Sequence, residues 1–284
     1  MAFWEISGRA HWVDQSVVPR LSATVEAILE MWISISLGTH ILISFGRIIL
    51  GLLIGLFLAV PSAYVLARVL PVLGERADSL LRIFALINPY CFFPVFVILF
   101  GLGETPKIAV LAWVSMWPIF FSSQNVFKNT DPQLIKMARS MNLNKAALFF
   151  RLTLPSGLPQ IFTGLRLGVE MSFFILIAAE MTGATAGLGW LIHNAGASYQ
   201  IARLYGTGLC VVVLGVLLNR FLILVRKGFL PWSGGLTIPW LQNTDVSPKN
   251  VSKKVLYFWC LIFLLAASMA LFQIFRGVNL TVTV

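Results

Sequence analysis

Long apolar runs alternate with short polar, basic stretches along the chain. Five runs, near Ile41–Ala67, Ile83–Phe100, Ile108–Phe127, Leu158–Met181 and Leu204–Val225, approach or exceed the ~20 helical residues that cross a bilayer. A sixth follows at Val255–Phe275. Backbone groups find no water in hydrocarbon, so each run is predicted as a helix, and none alternates with the period of two that a barrel needs. Val25–Gly38 mixes Val, Ile, Leu and Trp with Glu26 and Glu30, which fits a helix lying at the interface or one docked loosely on the bundle. The expected fold class is all-α, a polytopic membrane helical bundle with a five-span core and one extra C-terminal transmembrane helix.

The same pattern divides the chain. Residues 1–40 read as an N-terminal extracytoplasmic or interfacial segment, and 41–230 as a transmembrane core with a cytoplasmic loop at 128–157. Residues 231–254, bearing Pro231, Gly234, Gly235, Pro239 and Pro248, read as a linker, and 255–284 as the extra helix. The first run begins too deep in the sequence and is too long for a cleavable signal.

Composition narrows the class. Hydrophobic residues make up 58% of the 284 positions and charged residues 11%, far below the roughly 25% charged in soluble domains. A soluble fold of this size could not hide that apolar surface. The net charge of +10 sits in loops rather than on one face, a topology signal more than a nucleic-acid one. Arg68, Arg76, Arg82, Lys128, Lys136, Arg139, Lys145, Arg151, Arg226, Lys227, Lys249, Lys253 and Lys254 follow the odd-numbered runs. Only Arg9, Arg20, Lys107, Arg203 and Arg276 lie on the other side. The positive-inside rule places the larger group in the cytoplasm and both termini outside.

Candidate chemistry is sparse. Cys91, Cys210 and Cys260 are dispersed in apolar runs, and His11, His40 and His193 are scattered, so neither a disulfide framework nor a metal site is expected. No Gly-Lys pair occurs, so no P-loop is present and any ATP site must lie on another chain. Nor does any Ser/His or His/Asp/Glu cluster within the runs suggest an intramembrane enzyme. Nine Trp and 22 Phe suit a lipid interface and a bundle core, and no aromatic constellation stands out as a ligand box.

The loop NTDPQLIKMARSMNLNKAALFFRLTLPSGLPQ, residues 129–160, is the most informative segment. Asp131 and Pro132 make a helix start, Gln133–Met141 a short helix, and Asn142 a stop that tolerates the left-handed conformation. A second helical run at Lys145–Leu152 leads to Pro155 and Pro159, which predict an abrupt turn into the next span. Leu134, Ile135, Met137, Ala138 and Met141 give the short helix an apolar cover that suits a groove on this chain or a partner. Rest on lipid headgroups is the alternative.

This loop resembles the signature loop of binding-protein-dependent ABC transporter permeases, whose pattern is Glu-Ala-Ala, three residues, Gly, and a Leu-Pro about a dozen residues on. Lys136-Met137-Ala138-Arg139-Ser140-Met141-Asn142 and Leu154-Pro155 occupy those places. Phe100-Gly101-Leu102-Gly103, Thr163-Gly164-Leu165-Arg166-Leu167, Ala179-Glu180-Met181 and Gly187-Leu188-Gly189-Trp190-Leu191-Ile192 resemble the nitrate/sulfonate/taurine/bicarbonate group. The likeness spans about residues 20–230. It implies a permease subunit of an ATP-driven importer for a small anionic solute, in a bacterial or archaeal cytoplasmic membrane. Expected partners are ABC ATPase subunits, a second permease chain (a homodimer in the simplest form), an extracytoplasmic substrate-binding protein and membrane lipid. ATP and Mg would be bound by the ATPase, with no cofactor on this chain. The coupling set implied is Leu134, Ile135, Lys136, Met137, Ala138, Arg139, Met141 and Asn142. Lys136 replaces the usual Glu and Met137 the usual Ala. The charge inversion implies a matching acidic change on the partner. The family's additional helix before the first run is lacking, and the helix at Val255–Phe275 is additional.

Ionisable residues within the runs are candidate pathway or gate groups. Arg166 and Glu170, four apart, share a helix face and can pair, either toward the pathway or to lock the span to its neighbours. Glu180 either holds the outer loop Thr182–Trp190 or meets outside water. Arg47 and Arg220 are expected to snorkel to headgroups. Gly51/Gly55 and Gly164/Gly168 are expected at close helix contacts. Asn88, Pro89 and Pro94 are expected to break the second span and free carbonyls toward a cavity. The rival from another class is a secondary transporter or channel working without an ATPase.

Overall fold

The computed structural model describes residues 17–35, 37–130, 132–140 and 148–229. The linker, the extra C-terminal helix, Met141 and Asn142 lie outside the described residues. Every regular element within them is helical: α1 (Leu21–Ser34), α2 (Leu37–Tyr64), α3 (Pro71–Leu86), α4 (Pro89–Phe100), α5 (Thr105–Lys128), α6 (Pro132–Ser140), α7 (Leu154–Gly183), α8 (Leu188–Ala197) and α9 (Ile201–Phe229).

Among the described residues, three helices are long and apolar enough to cross a membrane, at Leu37–Val69, Leu154–Gly183 and Ile201–Arg226. The predicted second span is a helix pair: α3 and α4 meet at 89° across a short break. That break falls at Ile87–Asn88, where Asn88 caps α4 by accepting the Tyr90 N–H at 3.0 Å. Pro94, expected to contribute to the break, is carried inside an unbroken α4. A proline removes one intrahelical bond, and here the helix continues past that loss.

The predicted third span became the centre of the bundle. α5 is less apolar than its neighbours, carrying Lys107, Ser115, Ser122, Ser123, Gln124 and Asn125, and is not among the helices long and apolar enough to cross. It is flanked by α2 and α7. Protein rather than lipid covers most of it, so the polar positions carry less of the penalty that hydrocarbon would impose. The approach is set by small residues. A Cβ on Gly55 would lie 2.3 Å from Ser115 Oγ, and one on Gly51 2.5 Å from Leu111 Cβ. On α7, a Cβ on Gly164 would lie 2.6 Å from Ser122 Cβ. Ala59, Ala63, Ile119, Phe120, Phe127 and Ile161 then close one core, and Ile48, Leu111, Val169, Leu176, Leu218 and Leu222 a second.

Two π turns punctuate the helices, at Val65–Val69 and Phe149–Thr153. Each ends two residues before a proline, Pro71 and Pro155. In each, the last N–H before the proline reaches back five residues: Leu70 to Val65 O at 2.9 Å, and Leu154 to Phe149 O. Proline has no N–H to continue the ladder, so the turn widens without forfeiting a further donor. The abrupt turn expected at Pro155 and Pro159 is therefore absent. The chain passes through the π turn into α7, with Pro155 in its first turn and Pro159 inside it.

α1 is docked: Thr24, Ala27 and Met31 are buried, with the Thr207 hydroxyl of α9 donating to Met31 Sδ at 3.7 Å. Val25, Leu29, Trp32 and Ile33 form its exposed side.

Candidate functional site

The bundle has two ends of different chemistry. At one end lie the start of α2, the turn after α4, the end of α7 and the start of α8. At the other lie the end of α5, α6 and the start of α7, with basic residues in the connecting loops.

The first end is closed by buried charge. Arg47 is 1% exposed and Glu180 fully buried, and their side chains meet at 2.5 Å (Nη1 to Oε1). Arg47 also donates to Glu104, Nη2 to Oε1 at 2.7 Å, and to the Ala186 carbonyl at 2.8 Å. Lys107, 2% exposed, donates to Glu104 at 3.0 Å. Burial alone would raise the Glu104 carboxyl, but Arg47 and Lys107 hold it below the usual carboxylate range. Two cations and two carboxylates balance, as a low-dielectric site requires. The expected snorkelling of Arg47 is thus corrected. Its carboxylate partners lie inside the bundle, and pairing outweighs escape to headgroups.

Glu180 also fixes the following loop. Its Oε2 accepts the Gly189 N–H at 2.8 Å, and its Oε1 accepts the Ser44 hydroxyl at 2.7 Å. Ser44 Oγ in turn accepts the Leu188 N–H at 2.9 Å, and His40 Nδ1 accepts the Gly187 N–H at 3.0 Å. Orphan N–H groups at the start of α8 are thereby capped from α2 and α7, and the carboxylate sits at the favourable end of the helix dipole. A Cβ on Gly187, which has φ +126°, would lie 2.5 Å from the Glu180 carboxylate. One on Gly189 would lie 2.5 Å from Ile177 O. Gly187 is thus required by the buried carboxylate and Gly189 by the close approach of α8 to the end of α7. The Phe-Gly-Leu-Gly turn has its own reason: Gly101 takes φ +77° to end α4.

Arg166 and Glu170 pair as the spacing predicts, at 3.1 Å, and remain partly exposed at 27% and 44%. Glu180 does not join them. Asn88 and Pro89 stand at the α3–α4 break, and Tyr90 Oη meets Thr182 Oγ1 near the end of α7 at 2.6 Å.

At the opposite end, α6 runs from Pro132 to Ser140. Met137 is 64% exposed, Lys136 is exposed, Ile135 is half-buried and Ala138 is 5% exposed. The apolar cover is therefore divided: Ala138 packs within this chain, and Met137 stands out. Leu134 and Arg139 lie on the same helix. Nearby, Asp78 of α3 pairs with Lys128 at the end of α5 at 3.5 Å and with Arg82 at 2.9 Å.

Residues 51–232 match the family described as binding-protein-dependent transport system inner membrane component. The chain belongs to this family. Relatives include the taurine transport system permease protein TauC of Escherichia coli (28% identical, covering 70% of this chain and 72% of TauC). The putative aliphatic sulfonates transport permease protein SsuC of Bacillus subtilis is 26% identical, covering 82% of this chain and 84% of SsuC. The nitrate import permease protein NrtB of Synechococcus elongatus is 27% identical, covering 72% and 71%. The chain is thus a membrane permease of the ABC importer type, rather than a secondary transporter or channel. The family match includes the α6 loop and, of the buried-charge clasp formed by Arg47, Glu104, Lys107 and Glu180 with Ser44 and His40, the residues from Glu104 onward; Arg47, Ser44 and His40 lie just before it.

Proposed function

We propose that this permease carries a small oxyanion, a sulfonate or nitrate-like solute, across the cytoplasmic membrane. In this reading a separate ATPase drives it and an extracytoplasmic binding protein supplies the solute. The basic end faces the cytoplasm and the clasp end faces outside. The substrate class rests on the named substrates of the relatives. A second permease chain completes the pathway, and the exposed apolar surfaces of α3, α4 and α7 (Leu80, Ile83, Ile98, Phe174) are available to it and to lipid.

The observation that carries the coupling role is α6, a short helix between the central helix and α7 that presents Lys136 and Met137 outward. ATP-driven closure of the ATPase pushes this helix, and α5 and α7 transmit the push. Lys136 faces an acid on the ATPase, and the coupling set remains Leu134, Ile135, Lys136, Met137, Ala138, Arg139, Met141 and Asn142. Ala138 acts there through packing within this chain.

Met137→Asp tests this, because it alters an exposed position without disturbing Ala138. The variant should insert normally, lose at least ten-fold in ATP-driven uptake, and release the ATPase on purification in mild detergent. Lys136→Glu should do the same, with rescue by a reversed charge on the ATPase. Full coupling in the Met137→Asp variant would defeat the docking assignment.

A further inference from the structure

α5 carries buried hydrogen-bond donors that the coupling reading does not use. The indole N–H groups of Trp113 and Trp117 and the Nε2 of Gln124 are buried and have no hydrogen-bond partner among the described residues. Trp117 is 8% exposed and Gln124 2%. At 3.6 residues per turn, positions 113, 117 and 124 fall within about 40° of one another on a helix, over about 16 Å of its length. These three donors therefore share one face of the central helix; the Ser123 hydroxyl, also buried without a partner among the described residues, lies about 100° from Gln124 around the helix.

That face looks toward the broken span. Phe92 of α4 packs on Trp113 with ring centroids 5.3 Å apart, and Arg82 of α3 lies 5.0 Å above the Phe121 ring. Trp117 lies between those two contacts along α5, as the Ile87–Asn88 break lies between Arg82 and Phe92 along the partner strand of chain. The two indoles meet edge to face, with ring centroids 5.2 Å apart.

Buried polar groups in proteins are nearly always bonded, and an indole N–H has only donor capacity. Phenylalanine would fill much of this space without leaving a donor unmatched. Donors without protein acceptors suit a ligand that brings acceptor oxygens of its own. They are uncharged and interleaved with Phe92, Phe120 and Phe121, so they would hold an oxyanion weakly enough to release it. A buried arginine would hold it tightly.

We propose that Trp113 and Trp117, with Gln124 below them, form an uncharged waypoint for a small oxyanion moving along α5 beside the α3–α4 break. This rests on the oxyanion reading above and adds the residues that touch the ion.

The test uses the complete transporter, permease with its ATPase and binding protein, in proteoliposomes with radiolabelled taurine, ethanesulfonate and nitrate as probes. Trp113→Phe and Trp117→Phe each keep an aromatic ring and remove the N–H. Each should lower the maximal uptake of the transported probe at least three-fold, and the double variant at least ten-fold. Binding-protein-stimulated ATP hydrolysis should be retained. Wild-type uptake by the double variant overturns the waypoint. If the double variant fails to assemble, ¹⁵N-indole spectra of the wild-type complex decide, with the Trp117 resonance identified from the single variant. A shift on adding the transported probe supports the waypoint, and no shift overturns it. Failure of the wild-type complex to accumulate any of the three probes instead removes the oxyanion reading itself, and the waypoint with it.

Discussion

Glu180 accepts hydrogen bonds from α2 and α8, pairs with Arg47, and is fully buried. Removing one partner of such a buried pair typically costs about 3–5 kcal/mol, because the other charge is left unmatched. Arg47→Met should therefore destabilise the permease by roughly that amount, read as a lowered midpoint in detergent unfolding. Glu180→Gln keeps an acceptor for Gly189 but leaves the guanidinium under-compensated, and should fall in the same direction by less. Gly189→Ala should imitate these variants without touching a charge, since its methyl meets Ile177 O and Glu180 Cβ. Of this cluster the sequence marked out Glu180 and misread Arg47. An arginine near the start of an apolar run looks like a snorkelling group when its partners, Glu104 and Glu180, lie far along the chain. A usable signal was the scarcity of acids: with only 11 in the chain, each one near a span end is a candidate counter-charge. The indoles gave no such signal, because an unmatched donor is a property of surroundings rather than of residue type.

Among the elements, α2, α7 and α9 were legible from their apolar runs, and α6 from Pro132 and its position in the loop. The bend between α3 and α4 was legible only as a weak place, since Asn88-Pro89 and Pro94 offer similar local cues and tertiary packing selects the first. The π turns were not legible, because widening a turn by one residue leaves the apolar pattern nearly intact. α5 was the instructive case: its polar positions lower its hydropathy because other helices, not lipid, cover it. Packing against α7 depends on the absence of a side chain at Gly164. Gly164→Leu should separate these two helices, costing about 1–3 kcal/mol or more from overpacking. It should make the α6 loop easier to cut with added protease, and Gly208→Leu, where a Cβ meets nothing within 4 Å, is the matched control.

For the molecule as a whole, topology is the property on which coupling depends. A cysteine placed at Lys145 should react with an impermeant maleimide only in inside-out vesicles, and one placed at Tyr199, 86% exposed at the opposite end, only in right-side-out vesicles or cells. The three native cysteines, Cys91, Cys210 and Cys260, would be replaced first, since Cys91 is exposed. Label at position 145 from the outside would put the α6 loop out of reach of any cytoplasmic ATPase.

The clasp also sets the mechanics of the far end. α5 is 24 residues long, about 36 Å at 1.5 Å per residue. Its first turn is anchored through Glu104 and Lys107, and α6 follows its last turn. Rotating such a rod about the anchored tip by about 10° sweeps the free tip through about 6 Å, roughly one helical turn. If α6 is pushed as proposed, a fulcrum built from matched charges would turn a small rotation of α5 into a displacement of several ångströms at its far tip.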